Sequence, residues 1–227
     1  DYFGIFSDRI GSLLDANSRS PPFVGKMSNG TSGDINNINI RDGDARRYDR
    51  YEKMTEVAEN DASRVHEAHS NVTFTDWVPL GSATRSLTLS MRKPDSDMRA
   101  YLEEVRNKPQ DSEPFHRYER TFADGVNKLH VGPEEFEVPL LVLIIGDLAI
   151  AAIPFDTFAE IGLAIKVNSP FADTFTFDLA FDSRGYLPTP RQHQLGGYET
   201  WMGTNRVQID ASDRIQTVIL ELMEELR

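Results

Sequence analysis

The sequence predicts an α/β or α+β fold, built as a single layered domain with a mixed sheet and flanking helices. Helical and strand patterns alternate irregularly along the 227 residues, with no internal repeat and no clear domain boundary. The longest apolar stretch, residues 138–154, is interrupted at its middle by Gly146-Asp147. Two short apolar runs around such a turn are typical of buried strands, whereas a membrane span needs roughly 20 apolar residues.

The first 69 residues are predicted to form two helices and a short strand. Apolar residues recur at helical spacing over residues 2–15, which predicts an amphipathic helix that ends before Pro21-Pro22. Residues 23–27 are predicted to be a strand that leads into a loop rich in Gly, Ser and Asn. A long and highly charged helix is expected over residues 45–69.

The middle of the chain is predicted to begin with a β-hairpin. Strand-forming residues occupy 71–78 and 84–92, and the turn residues Pro79-Leu80-Gly81 lie between them. A helix is expected from Pro94-Asp95 to about residue 107. Another helix is expected over residues 115–128.

The last third is predicted to contain a buried hairpin, a helix, a strand and a final helix. The hairpin joins residues 140–145 to 148–153. Apolar positions predict a helix over 156–167, and alternation predicts a strand over 174–181 with one half-exposed face. Residues 211–226 carry a strong amphipathic pattern, so the chain is expected to end in a helix.

Composition limits the function classes. The formal net charge is −12, so the phosphate backbone of a nucleic acid is an unfavourable partner. The chain has no cysteine, which excludes disulfides, thiolate zinc ligands and thiol nucleophiles. The first residue is Asp1 rather than Met, so we expect the natural N-terminus to be missing, and the lack of a signal peptide then carries no weight.

A segment rich in Gly and Pro carries two tyrosines, Tyr186 and Tyr198, twelve residues apart. The stretch between them is polar and includes Arg191 and His193. Binding and catalytic groups concentrate on such loops, so the segment is a candidate site. Packing is the alternative role for both tyrosines.

A second loop, residues 28–39, has two glycines among short polar side chains. Its backbone N–H groups can converge on an anion or an oxyanion. The alternative is an Asx-rich turn that satisfies its own backbone.

Asp156 follows the predicted strand 148–153 directly, after Pro154-Phe155. Strand ends in open α/β sheets are where sites form, so its carboxylate is a candidate functional group. The alternative is that Asp156 caps the following helix. Glu160, one turn later, is another candidate acid.

In three blocks the sequence resembles the neutral/alkaline, non-lysosomal ceramidases, a family of zinc-dependent amidases that cleave the N-acyl bond of ceramide. Gly33–Ile38 stands where that family has a Gly-Asp-Val-Ser-Pro-Asn loop. Pro154-Phe155-Asp156 stands where it has a strand ending in Pro-Gly-Glu. The segment Tyr186–Thr189 and the pair Tyr198-Glu199 match its Tyr-x-Thr-Thr motif and the Tyr-Glu that follows twelve residues after the first Tyr.

The resemblance implies roles for eight residues and a zinc cofactor. It implies a metal site at Asp156 and Tyr186. The residues with an implied catalytic role are Tyr198, as the hydrogen-bond donor to the oxyanion, and Asp34 and Asn36 of the loop. The residues with an implied role in substrate binding are Ser32, Gly33 and Thr189. The substrate implied is a small-molecule or lipid N-acyl compound, and the setting implied is secreted or membrane-peripheral.

The sequence also departs from the family. The family's two histidine ligands lie upstream of the Gly-Asp loop, and none of the five histidines here falls in a corresponding block. Asn36 replaces a loop serine, and Asp156 replaces a glutamate. The resemblance therefore implies that residues 1–227 are the C-terminal portion of an incomplete catalytic domain, inactive alone. The alternatives are a lipid- or glycan-binding module that has lost the reaction, and a structural or interaction domain.

Overall fold

The structure is a computed structural model that describes residues 2–39, 41 and 46–227. By its internal contacts the chain divides into two compact units. The first unit consists of Asp1–Ser28 and Asn36–Val78, and the second consists of Asn29–Ile35 and Pro79–Arg227. A seven-residue segment near the start of the chain thus belongs to the larger, C-terminal unit.

The first unit is a pair of helices, α1 (Tyr2–Leu13) and α2 (Glu52–His69). They pack through Phe6 and Ile10 of α1 against Ala58 and Ala62 of α2, where the small alanines let the helices approach closely. The predicted helix at 2–15 is confirmed.

Two predictions in the first unit are wrong in detail. The charged helix begins at Glu52 rather than at residue 45, which lies outside the described residues, and Tyr51 in front of it is left-handed with φ 67°. The strand predicted over 23–27 is absent from the described residues. This segment instead lies against α1, with Gly25 so close that a β-carbon would be 2.7 Å from Ile10.

The second unit contains the sheet and most of the helices. In chain order its elements are β1 (Leu80–Ser90), α3 (Ser96–Asn107), α4 (Glu119–Val131), β2 (Glu135–Ile145), β3 (Leu148–Ala152), β4 (Asp156–Thr157), α5 (Ala159–Asn168), β5 (Asp173–Phe177), β6 (Tyr186–Leu187), α6 (Pro190–Leu195), a 3-10 turn (Tyr198–Thr200) and α7 (Ala211–Leu226).

The main sheet has the order β1-β2-β3-β5 and is mixed. Strands β1, β2 and β3 run antiparallel, and β5 runs parallel to β3 after the crossover through α5. The predicted hairpin around Gly146-Asp147 is confirmed, with Gly146 at φ 60°. The α/β prediction, with a mixed sheet and flanking helices, is also confirmed.

Helix α7 covers the sheet with the apolar face that its sequence predicts. Ile215, Ile219, Leu222 and Met223 are buried in the same core cluster as the sheet residues Val138, Leu140 and Val142. Helices α3 and α4, also predicted, pack against each other elsewhere in this unit. Among the helices of the described ranges, none combines the length and apolar character needed to cross a membrane.

The hairpin predicted around Pro79-Leu80-Gly81 is wrong. Strand β1 pairs with β2, Leu80 opposite Ile145, and residues 71–78 form no strand. Phe74 and Trp77 are strand formers, yet their side chains are 77% and 75% exposed. A strand needs a buried face, so residue preference alone misled the prediction here.

Two element boundaries near the candidate site also differ from prediction. The helix expected from Asp156 begins at Ala159, because Asp156 and Thr157 form the short strand β4. The strand expected to reach residue 181 ends at Phe177. Leu179 and Phe181 have φ values of 52° and 70°, so the chain turns away from the sheet just after Asp178.

Candidate metal and catalytic site

Two carboxylates leave the sheet at the same edge. Strands β3 and β5 are parallel neighbours, so their carboxyl ends meet. Beyond them the chain continues into Pro154-Phe155-Asp156 on one side and Asp178 on the other. A hydrogen bond from Leu179 N to Phe155 O, 3.1 Å long, keeps the two segments together.

The Asp178 carboxylate joins the loop 29–35 to strand β4. Its Oδ2 accepts hydrogen bonds from the backbone N–H of Ser32 at 3.1 Å and of Thr157 at 2.9 Å. The anionic group that contacts the Ser32 N–H is therefore the side chain of Asp178 itself. Sequence reasoning missed Asp178 because it lay inside a predicted strand.

Asp178 is buried with incomplete hydrogen bonding. Asp178 is only 8% exposed, and its Oδ1 has no hydrogen-bond partner within the described residues. Burial raises the pKa of Asp178 to about 6, and the nearby Asp156 carboxylate adds to the rise, although the hydrogen bonds from Ser32 and Thr157 oppose it. The edge thus holds a carboxyl group that gains a proton readily.

Gly33 fixes the loop against β4. Its N–H donates to Thr157 O at 2.8 Å, and a β-carbon on Gly33 would lie 2.4 Å from Asp156 O. Only a residue without a side chain fits this approach. Gly33 was predicted to bind substrate, but its N–H is already engaged by the protein.

Asp34 caps helix α5 from a distant part of the sequence. Its Oδ1 accepts the Ala159 N–H at 2.8 Å, which satisfies one of the free donors at the helix start. The alternative role for Asp156 as the cap of this helix is therefore wrong, since Phe158 occupies the cap position and Asp156 lies in β4.

Asp156 and Tyr186 are partners across the parallel strands β4 and β6. Burial raises the pKa of Asp156. Burial also raises the pKa of the Tyr186 phenol, and the charge of Asp156 raises it further. Tyr186 is held by two backbone contacts, its N–H to Thr204 O at 3.0 Å and its carbonyl oxygen to Asn205 Nδ2 at 2.9 Å.

Tyr198 stands next to Tyr186. The two ring centroids are 5.8 Å apart and the ring planes are at 77°, an edge-to-face arrangement. Tyr198 begins the 3-10 turn and is 45% exposed. The structure therefore brings together Asp156, Tyr186 and Tyr198, which the sequence places 42 residues apart from first to last.

Two predicted site residues remain, Thr189 and Asn36. The Thr189 hydroxyl donates to Glu160 Oε1 and accepts the Gln192 N–H at 3.3 Å, so it caps α6 and also engages the alternative acid Glu160. Asn36 is exposed and belongs to the first unit. Their predicted functional roles stay predictions.

The pair Asp156 and Tyr186 fits a zinc ion in kind. Carboxylate oxygen is an ordinary zinc ligand, and a bound cation would offset the burial that raises the pKa of both groups. The pair supplies two ligands, whereas a zinc site has about four positions. Within residues 2–39, 41 and 46–227, no group of three or more His, Asp or Glu side chains could hold a metal.

Asp178 became a candidate only once the end of its strand was known. With β5 ending at Phe177, Asp178 follows the strand directly, and the argument about strand ends that selected Asp156 then applies to it. Sequence reasoning also missed Arg92, which donates to Thr200 O just after Tyr198, and the aromatic rings beside Tyr198. Phe122 and Trp201 have rings 6.1 and 5.8 Å from Tyr198, and nothing in their spacing predicts the contact.

Comparison with known proteins bears on the fold. No protein-family model matches this sequence, and no curated protein matches it significantly. Among solved structures, the neutral ceramidase from Pseudomonas aeruginosa aligns over 100% of this chain with a TM-score of 0.68 and 15% identity. A ceramidase complexed with C2 aligns over 100% with a TM-score of 0.67 and 14% identity. This chain spans 40% and 42% of their lengths. The fold is ceramidase-like.

Proposed function

We propose that this chain is part of a metal-dependent hydrolase of amide N-acyl bonds, and that residues 1–227 form the C-terminal portion of its catalytic domain. The observation that carries the proposal is that Asp156 and Tyr186 pair in the two-stranded β4–β6 sheet with the Tyr198 ring against Tyr186, on a fold similar to that of two ceramidases. The proposed substrate is a lipid or small molecule with an N-acyl group.

Asp156 and Tyr186 are the proposed metal ligands. A bound zinc ion supplies a Lewis acid that polarises a carbonyl group and makes water a stronger acid. The backbone bonds of Tyr186 to Thr204 and Asn205 orient its phenol, and the β4–β6 pairing holds Asp156 beside it. The remaining ligands are proposed to come from outside the described residues.

Tyr198 is the proposed donor to the carbonyl oxygen of the substrate. Its hydroxyl has no hydrogen bond to any residue of the described ranges, and nearly half of the side chain is accessible. A phenol O–H aimed at an oxygen that gains negative charge lowers the barrier to attack. The neighbouring rings of Tyr186, Phe122 and Trp201 restrict the orientations that the Tyr198 ring can adopt.

The loop residues are proposed to shape the site. Ser32 and Gly33 use their N–H groups to fix the loop, so they would contact substrate with their remaining surface. Asp34 is proposed to assist catalysis by holding the loop to α5. Thr189 and Asn36 are proposed to take part in substrate binding and catalysis, respectively, by the resemblance noted above.

Zinc content and hydrolysis of N-acyl amides, measured together on the complete protein, test the proposal. We expect about one zinc per chain and hydrolysis that a chelator abolishes and added zinc restores. A protein that binds no zinc and cleaves no N-acyl substrate would refute the hydrolase. Binding of an N-acyl lipid without cleavage would instead favour the binding module.

A further inference from the structure

The second unit contains a cleft of about 650 Å³ that the proposed chemistry does not use. Helices α3 and α4 and the segment after the 3-10 turn form its walls. Aromatic rings dominate the lining: Tyr101, Phe115, His116, Phe122 and Trp201. His116, Phe122 and Trp201 contact one another, with Phe122 and Trp201 centroids 4.9 Å apart. The volume is typical of a small-molecule site.

The acidic side chain in this lining, Glu119, is already paired with a positive charge. Glu119 is 6% exposed and pairs with Lys108 Nζ at 2.9 Å, and the Tyr101 hydroxyl donates to the same carboxylate at 2.8 Å. The hydrogen bond from Lys108 holds the pKa of Glu119 below its usual value. This part of the wall therefore offers no uncompensated negative charge to a ligand.

Arg92, by contrast, lines the cleft without a counter-ion. Its Nη1 donates to Thr200 O at 2.8 Å and to Asn205 Oδ1 at 3.0 Å, both uncharged acceptors. None of the ion pairs found within the described residues involves Arg92, and its Nε and Nη2 have no partner there. A half-buried guanidinium that lacks a negative charge is unfavourable, and burial lowers its pKa.

His193 lies beside Arg92 in the same lining and adds an unsatisfied group. Its Nε2 is buried and makes no hydrogen bond to any described residue. Burial, and then the charge of Arg92, lower the pKa of His193, so the neutral ring is favoured. One end of the aromatic cleft thus has free guanidinium N–H groups and an imidazole nitrogen without a partner.

We propose that this cleft binds a monocarboxylate with an apolar body, its carboxylate paired with Arg92 and His193 and its body between the aromatic rings. A carboxylate matches the planar guanidinium in geometry, and its negative charge would supply the counter-ion that Arg92 lacks. Arg92 is a cation without a counter-ion in a lining rich in aromatic rings, which suits one negative charge on a hydrophobic ligand. This proposal does not depend on the hydrolase.

Octanoate is a suitable probe because it is silent in fluorescence, whereas Trp201 lies in the lining. The chain has two tryptophans, so Trp77→Phe leaves Trp201 as the only one. Trp77 is 75% exposed and lies in the first unit. We expect octanoate to change the Trp201 emission saturably, and the neutral analogue 1-octanol to bind at least about tenfold more weakly. Equal binding of the two, or no binding of octanoate, would overturn the proposal.

Variants test the residues. Arg92→Met should weaken octanoate binding about tenfold or more and leave 1-octanol unchanged. Arg99→Met, the same change at an exposed site on α3, should alter neither. Arg92 also holds Thr200 and Asn205, so Arg92→Met could disturb the fold. Phe115→Ala provides a second variant, which should fold normally because Phe115 is 90% exposed. It should weaken both ligands several-fold. Unchanged octanoate affinity in both Arg92→Met and Phe115→Ala would refute the site.

Discussion

Gly33 lies so close to Asp156 that a β-carbon on the glycine would be 2.4 Å from the Asp156 carbonyl oxygen and 2.8 Å from its carbonyl carbon. These are backbone atoms of a strand and cannot move aside as a flexible side chain can. The contact fixes the loop 29–35 to the residue that we propose as a metal ligand.

Gly33→Ala should therefore destabilise the second unit. The new methyl group forces the loop away from β4 and breaks the 2.8 Å bond from Gly33 N to Thr157 O. We expect the free energy of unfolding, measured in urea, to fall by about 1–3 kcal/mol. Gly30→Ala is the matched control in the same loop, because the nearest atom to its β-carbon would be 3.9 Å away. Equal losses in the two variants would contradict the contact.

Asp178 should make stability fall with rising pH. Its pKa of about 6 in the folded chain exceeds the unfolded value of about 3.9, so folding favours the protonated carboxyl. Its contribution to stability is complete below about pH 4 and is lost as the pH rises through about 6, by about 3 kcal/mol in all.

Asp178→Asn should remove this pH dependence because an amide does not titrate. The variant should still fold, since the amide oxygen can accept the Ser32 and Thr157 N–H groups. The measurement is urea unfolding of chelator-treated protein between pH 4 and 8, with the variant's curve subtracted from that of the unchanged chain. Asp173→Asn, at an exposed position at the start of β5, serves as the control. A difference curve that is flat across this range would show that Asp178 is not the titrating group.

Asp34 should be replaceable by asparagine but not by alanine. Its Oδ1 caps α5 through Ala159 N, a bond that an amide oxygen can also make. Asp34→Ala should cost about 1 kcal/mol of unfolding free energy, and Asp34→Asn only a few tenths. We expect hydrolysis to follow stability in both variants. A stable but inactive Asp34→Asn would mean that the carboxylate charge itself acts in the reaction.

The two site tyrosines should separate metal binding from turnover. Tyr186→Phe should weaken zinc binding about 10- to 100-fold, because a phenyl ring offers no ligand. Tyr198→Phe should leave zinc affinity unchanged and lower kcat about 100-fold, the effect of losing one oxyanion donor. Isothermal titration with zinc and steady-state hydrolysis distinguish the two. Tyr118→Phe, another exposed tyrosine near Phe122, should change neither quantity.

Local patterns predicted the secondary structure of the second unit well where a turn and its strands are adjacent in sequence. The β2–β3 hairpin is an example, because Gly146-Asp147 identifies the turn directly. The partner of β1 was not predictable in this way, since Leu80 pairs with Ile145 across two intervening helices. Strand-forming residues at Phe74 and Trp77 suggested a nearer partner that the fold does not use.

The sequence selected three residues that lie together, but it did not predict the contacts of the loop beside them. Asp156, Tyr186 and Tyr198 were selected from the sequence, and they do lie together. The loop 28–39 was a candidate for binding an anion, and the Ser32 N–H of that loop contacts the carboxylate of Asp178, 146 residues away. Periodicity carries no information about a contact at that separation.

The seven residues 29–35 set a limit on how the protein can be dissected. A recombinant piece starting at Pro79 would keep every strand of the sheet and every helix from α3 onward. It would nevertheless leave Asp178 Oδ2 with one donor fewer and Ala159 N without an acceptor, because Ser32 and Asp34 would be gone. Expression of the larger unit therefore calls for the short peptide to be supplied too, either fused ahead of Pro79 or added in trans.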